Sequence, residues 1–226
     1  MSINQNENLK VKKPWGSEYI VYQNKDVAVW LLTIEPGKST SLHCHPKKKT
    51  GFILLSGEAQ VDLGFYDKRN LTSPSKLMIR PGLFHSTKAL SKNDISILEI
   101  ETPIDKNDLV RFKDSFGREE KPYEGKEHMS QLKKEDITFQ DPKKNQINTY
   151  RYKNVVVTLE KHSNAKNLSN RPSNTIFAVL DGGLISKDNK FVLSPGDIVR
   201  TDTITKLSEV FKTQKSITVL TVNKQE

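Results

Sequence analysis

The sequence predicts an all-β protein, an antiparallel sandwich or barrel. Three observations carry that reading. Short apolar or alternating runs follow one another along the chain and are separated by Gly and Pro turns, the pattern of antiparallel strands. A helical pattern stands out in one place only. The last third repeats the first in weakened form, which points to two units of related build.

Taken in order, residues 1–10 are polar and are expected to be disordered or loosely attached. Val11 to Tyr22 carries Trp15-Gly16 and then the alternating Tyr19 and Val21, a first strand. Asn24-Lys25-Asp26 makes a turn, VAVWLLTI is a strongly apolar strand, and Pro36-Gly37 is a second turn. Gly51 to Ser56, GFILLS, is too short for a helix and bounded by glycines, so it reads as a buried strand. GEAQVDLGFYD follows as a strand bent at Gly64, Asp67 to Ser75 as a polar loop, KLMIRPG as the approach to His85, and DISILEIET as the closing strand.

The helical pattern comes next. Asp105 or Asn107 can cap a helix whose apolar residues Leu109, Phe112 and Phe116 fall at i, i+3 and i+7, with Gly117 as the stop. One short helix packed on the barrel is the expectation. Residues 117–146 are charged, carry two prolines and read as a connection wrapping the surface, with room for a further helix around His128 to Lys134. Beyond them, Thr175 to Gly183 aligns with Thr50 to Glu58, and Leu193 to Val199 aligns with Ile79 to His85. The expected division is 11–125, a connection at 126–147, and a second unit at 148–226.

The stretch from Gly37 to Gly57 carries the chemistry. On a strand, His43 and His45 project from one face while Cys44 points the other way. A third imidazole, His85, is delivered by the Pro81-Gly82 turn at the head of another strand, as a hairpin returning beside the first requires. In the second unit Leu168, Asn170 and Val199 stand where His43, His45 and His85 would be, so only the first unit can bind metal by this device.

Gly37, His43-Cys44-His45, Thr50 and Gly57 resemble the first motif of the cupin superfamily. Pro81-Gly82-Leu83-Phe84-His85 resembles the second, with the proline displaced by one and Arg80 in its usual place. The flanks KPWGSEYIVY and ILEIETPIDKNDLVRFKDSFGR are similar to the cupin domain of type II phosphomannose isomerases and related sugar-phosphate enzymes. The resemblance covers about Lys13 to Gly125. It implies a double-stranded β-helix, or jelly-roll, barrel, and with the internal repeat a bicupin whose second barrel is degenerate. Two departures stand out: the acidic ligand usual in cupins is Thr50 here, and close relatives have glutamine at the position of His43.

A three-histidine face binds Zn²⁺, Fe²⁺, Mn²⁺ or Ni²⁺ and leaves positions open for water or substrate oxygens. Glu99 and Glu101 share a strand face with Ile95 and Ile97. They either point into the barrel mouth, as a further ligand, or lie outside and pair with lysines. Lys47, Lys48 and Lys49, just after the ligand strand, are candidates to converge on an anion, with Arg80 and Arg111 beside them; the plainer alternative is a solvated turn. The resemblance implies metal-assisted aldose–ketose interconversion or epimerisation of a sugar phosphate or nucleotide sugar, with Glu99 or Glu101 as the base. A three-histidine iron dioxygenase and a non-catalytic sugar-binding cupin are the alternatives.

Composition bounds these readings. The 226 residues, 35% hydrophobic, suffice for one large or two small cores. No apolar run approaches the about 18 residues that cross a bilayer, and the polar start has no signal-peptide pattern, so a cytoplasmic location without membrane attachment is expected. The single cysteine excludes an intrachain disulfide. A net charge of +9 fits a phosphorylated small molecule better than nucleic acid, because no aromatic-interleaved basic motif and no helix-turn-helix pattern accompanies it. The expected partner is a small anionic sugar, not nucleic acid, with a homodimer left open.

Overall fold

The computed structural model describes residues 9–105, 107–113, 117, 126–143 and 146–225. The polar start ahead of Leu9 and Phe116 of the expected helix lie outside the described residues. The strands, in chain order, are β1 (Leu9–Lys13), β2 (Gly16–Gln23), β3 (Ala28–Ile34), β4 (Leu42–Cys44), β5 (Lys49–Ser56), β6 (Glu58–Leu63), β7 (Asp67–Thr72), β8 (Ser75–Ile79) and β9 (His85–Ala89). They continue as β10 (Ile95–Thr102), β11 (Val110–Lys113), β12 (Met129–Gln131), β13 (Ile147–Tyr152), β14 (Val155–His162), β15 (Ile176–Ile185), β16 (Phe191–Leu193), β17 (Ile198–Arg200) and β18 (Lys212–Lys224). One α-helix, α1 (Thr201–Val210), separates β17 from β18.

Three sheets stack. A seven-stranded sheet, ordered β12-β1-β2-β3-β10-β5-β8, lies between a five-stranded sheet, β11-β4-β9-β6-β7, and a six-stranded one, β13-β14-β18-β15-β16 with β17 on β15. The first two close the cupin barrel. The middle sheet is covered on both faces, which is why β3 and β5 read as unbroken apolar runs rather than alternating ones. Val29, Leu31, Ile53, Leu55, Leu98 and Ile100 pack against Val157, Leu159, Ala178 and Leu220 of the third sheet. Their strand neighbours Trp30, Leu32, Phe52, Leu54 and Ile97 pack against Ala59, Val61 and Ala89 across the barrel. The sheets approach closely at Gly51, where an added Cβ would lie 2.4 Å from Ile198 Cδ1.

Strand alternation in β10 settles a question the sequence leaves open. Leu98 and Ile100 face the third sheet, so Glu99 and Glu101 face the barrel interior with Ile95 and Ile97.

Four expectations need correction. The segment expected as a helix contains instead β11, antiparallel to β4 with Arg111 opposite His43; Phe112 is 58% exposed, so its helical spacing reflects no buried face. Asp67 to Thr72 is a strand, not a loop: an edge strand held by pairing with β6, whose single apolar residue, Leu71, makes no alternating pattern to announce it. No helix spans His128 to Lys134, because Met129–Gln131 adds β12 to the edge of the middle sheet.

The second unit differs most from expectation. It builds one sheet rather than a closed barrel, because the chain enters α1 after β17, where the first half makes β9. Thr201, Ile204 and Ser208 give α1 a buried stripe at i, i+3 and i+7. Leu168 and Val199 join an apolar cluster with Phe177, Val179 and Ile204, while Asn170 is exposed. The ligand positions of the repeat have become core and surface.

Removing residues 147–226 would expose the apolar face of the middle sheet. A fragment ending before Ile147 is expected to aggregate or to bind a hydrophobic dye, measured by light scattering and dye fluorescence. A soluble, cooperatively unfolding fragment would contradict the covering role of the third sheet.

Candidate metal centre

The three histidines come together from two adjacent strands. His43 of β4 is directly opposite His85 of β9, and His45 follows the end of β4. Their ring centroids are 4.5 Å (His43 to His85), 5.1 Å (His43 to His45) and 5.6 Å (His45 to His85) apart. One nitrogen from each lies within 4.8 Å of the others.

Local structure aims these rings. His43 Nδ1 is 2.8 Å from the Ser41 carbonyl, His45 Nδ1 is 2.6 Å from that of Asp108, and His85 Nδ1 is 3.0 Å from that of Leu83. A backbone carbonyl only accepts, so each Nδ1 carries the proton and each Nε2 keeps its lone pair. His85 Nε2 is buried and has no hydrogen-bond partner. A buried acceptor left unpaired is costly unless a cation takes its lone pair, so His85 Nε2, with the nitrogens of His43 and His45 close by, makes a donor set that fits a divalent metal ion.

The imidazoles are held neutral. Burial pushes His45 and His85 down to about 4, aided for His45 by the Lys48 charge and for His85 by His45. Burial, then the charges of His85 and His45, takes His43 well below its ordinary value.

Two carboxylates face the imidazoles. Glu101 is the cross-strand partner of Thr50, so a carboxylate stands one strand away from the position where the cupin motif usually carries one. Glu101 Oε1 accepts from Lys48 Nζ at 2.8 Å and lies 3.8 Å from His45 Nε2, and Oε2 accepts from Trp30 Nε1 at 3.2 Å. Glu99 completes a second potential ligand group with His45 and Glu101. Burial, then the nearby charge of Glu101, raises the Glu99 pKa well above the carboxylate range.

His43, His45, Lys48, Trp30, Glu99 and Glu101 line a cavity of about 100 Å³, together with Trp15, the Lys13–Glu18 ion pair and Arg111, while His85 lies against the rings of His43 and His45. The three consecutive lysines do not converge there. Lys48 is buried in the cavity wall, Lys47 is exposed, and Lys49 turns the other way to bond Asp197 at 2.7 Å. Arg80 is exposed in the turn before His85. Of the five cations the sequence suggests, Lys48 and Arg111 line the cavity.

Asp108 has a double role that sequence reasoning missed. Its carbonyl orients His45, and its carboxylate accepts the backbone N–H groups of Lys47 and Lys48 at 2.8–3.1 Å. Trp15, Trp30, Lys13 and Glu18 were missed as well. Strand alternation from Trp30 would have found the Glu101 contact, since the two lie on one face of adjacent strands.

These pKa values predict two pH effects. Between about pH 6.5 and 4 the unfolded chain holds more protons than the folded one, so metal-free protein should lose stability as pH falls through that window. Zinc affinity should in contrast hold down to pH 5.5 and collapse near 4, whereas unperturbed imidazoles would lose roughly tenfold each by pH 5.5. Equilibrium dialysis across this range decides; a steep loss from pH 6.5 downward would contradict the depressed values.

Residues 2–114 match the family described as mannose-6-phosphate isomerase C-terminal. Among relatives, the xanthan biosynthesis protein XanB of Xanthomonas campestris is 30% identical over 111 residues, 48% of this chain and 24% of the relative. The alginate biosynthesis protein AlgA of Pseudomonas putida is 30% identical over 118 residues, 51% and 24%. A mannose-1-phosphate guanylyltransferase of Klebsiella pneumoniae is 27% identical over 111 residues, 48% and 23%. The match therefore spans about a quarter of these relatives' length. Among solved structures, KdgF of Halomonas sp. aligns with a TM-score of 0.40 at 19% identity, over 46% of this chain and 95% of that one. The capsular polysaccharide assembling protein CapF of Staphylococcus aureus aligns at 0.43 and 17%, over 46% and 34%. With the motif histidines gathered in a two-sheet barrel and half of its length matched, the chain belongs to the mannose-6-phosphate isomerase C-terminal family of cupins.

Proposed function

We propose that this chain is a metal-dependent enzyme acting on a small sugar phosphate or nucleotide sugar, moving a proton between adjacent sugar carbons in an isomerisation or epimerisation. The observation that supports this most is the placement of three neutral, Nδ1-anchored imidazoles opposite two carboxylates in unlike environments. His43, His45 and His85 would hold a zinc, manganese, iron or nickel ion, with Glu101 as a further donor. Such an ion supplies a Lewis acid for a sugar carbonyl or hydroxyl.

The chain's own groups then divide the proton work. Glu101 is fixed by Lys48 and Trp30. Glu99, whose pKa burial and Glu101 raise, takes a proton from one carbon and returns it to the next. Lys48 and Arg111 are the cations placed to meet a substrate anion. The relatives' names support a sugar-phosphate substrate: two are named for xanthan and alginate biosynthesis and one as a mannose-1-phosphate guanylyltransferase. A dioxygenase that holds iron by three histidines alone has no carboxylate at the ion, and Glu101 beside His45 weighs against that alternative.

The test uses protein purified without added ions. Metal content is measured first, then interconversion of mannose 6-phosphate and fructose 6-phosphate is followed by NMR with the metal-loaded protein. His45→Ala should lose most of the metal. Glu99→Gln should keep it and lower turnover by roughly 10²–10⁴-fold, the usual worth of a general base. Turnover unchanged in Glu99→Gln would remove Glu99 from the reaction. Sugar binding without turnover would make the chain a binding module, and oxygen consumption with bound iron would favour the dioxygenase.

A further inference from the structure

The cavity's ion pair sits at the ends of two strands. Lys48 immediately precedes β5, which begins with Lys49, and Glu101 is followed by Thr102, where β10 ends. Lys49 and Thr102 are cross-strand partners, one step beyond Thr50 and Glu101. Alternation turns them away from the cavity. Pro103 follows one and Pro46 lies shortly before the other, so neither strand gains stability from a longer ladder there.

The turn Ser194 to Asp197 of the second half closes on this partner pair. Lys49 Nζ donates to Asp197 Oδ1 at 2.7 Å and to Ser194 Oγ at 3.1 Å. An added Cβ at Gly196 would lie 2.4 Å from Thr102 Cγ2 and 3.2 Å from Lys49 Cε, so the turn's backbone rests on both side chains. The turn is itself braced. Asp197 Oδ2 accepts from the Ser194 N–H at 2.7 Å and its hydroxyl at 3.0 Å, and Gly196 N–H donates to the Val179 carbonyl at 2.8 Å.

We infer that the second half of the chain positions the Lys48–Glu101 pair, with Lys49, Gly196 and Asp197 as positioning residues. A unit whose own ligand positions have become core and surface thereby holds the site of its partner. The grip fixes the ends of β5 and β10 together, and Lys48 and Glu101, adjacent to the gripped residues, keep their 2.8 Å contact inside the cavity. The functional consequence rests on the reading of the cavity given above; the mechanical coupling does not.

Trp30 offers a probe that needs neither metal nor activity, because its indole N–H donates to Glu101 Oε2. The chain has two tryptophans, so a nitrogen–proton correlation spectrum of full-length protein shows two indole peaks, assigned with Trp15→Phe. Lys49→Met and Asp197→Asn should each move the Trp30 peak further than Lys47→Met does. Lys49→Arg should restore it, and the double variant should move it no further than either single one, as for two sides of one contact. A Trp30 peak at its wild-type position in both variants, with a lowered melting temperature, would reduce the turn to a fastener between the halves and overturn the inference. Zinc titration of the wild type is read separately: failure to bind would remove the metal reading and leave the Trp30 result standing.

Discussion

Three backbone carbonyls, those of Ser41, Leu83 and Asp108, decide what the histidines of this chain can do. Each accepts an Nδ1–H, so each ring is locked in one tautomer and one orientation with its Nε2 lone pair turned to a shared point. The carbonyls come from different places: the residue before β4, the turn before β9 and the loop after β10. Their convergence depends on barrel closure, so the site is a product of tertiary structure and not of the motif alone. The same burial that closes the barrel keeps the imidazoles neutral, which is the form that ligates.

Charge in the cavity is arranged in pairs rather than left open. Lys13 pairs with Glu18 and Lys48 with Glu101, both lysines almost fully buried. Buried ion pairs recover little net stability after desolvation, so these do not serve to hold the barrel together; the two apolar clusters of the middle sheet do that. What the pairs do is fix carboxylates. Glu101 is held between Lys48 and Trp30 at the edge of the imidazole cluster, and burial, then the Glu101 charge, raises the pKa of Glu99 two residues away on the same face. One strand thereby presents two carboxylates of different character to one cavity.

Much of this was legible in the sequence, and the limits have physical causes. The first barrel and the histidine trio followed from period-2 runs, Pro-Gly turns and motif spacing. β7 and β12 were not legible, because edge strands held by backbone pairing need no apolar side chains. The segment around Leu109 misled because three apolar residues at helical spacing were read as a buried face, whereas Phe112 is exposed beside Phe65 and Phe84. α1 had the same kind of spacing, but Thr201 and Ser208 supply two of its three buried positions, so a hydrophobic pattern did not show it. The lysine run was read by proximity in sequence. Strand alternation and the Asp197 contact separate its members, and only tertiary structure shows Lys48 inside and Lys49 outside.

The tautomer set is the claim on which the metal centre rests, and it can be read directly. Long-range nitrogen–proton correlation spectra of metal-free protein at pH 7 distinguish Nδ1–H, Nε2–H and doubly protonated imidazoles. His43, His45 and His85, identified by single substitution, should all be neutral Nδ1–H tautomers, and adding one equivalent of zinc should shift all three Nε2 resonances together. An Nε2–H tautomer or an imidazolium at any of the three would mean that its lone pair does not point to the common site, and would contradict the account.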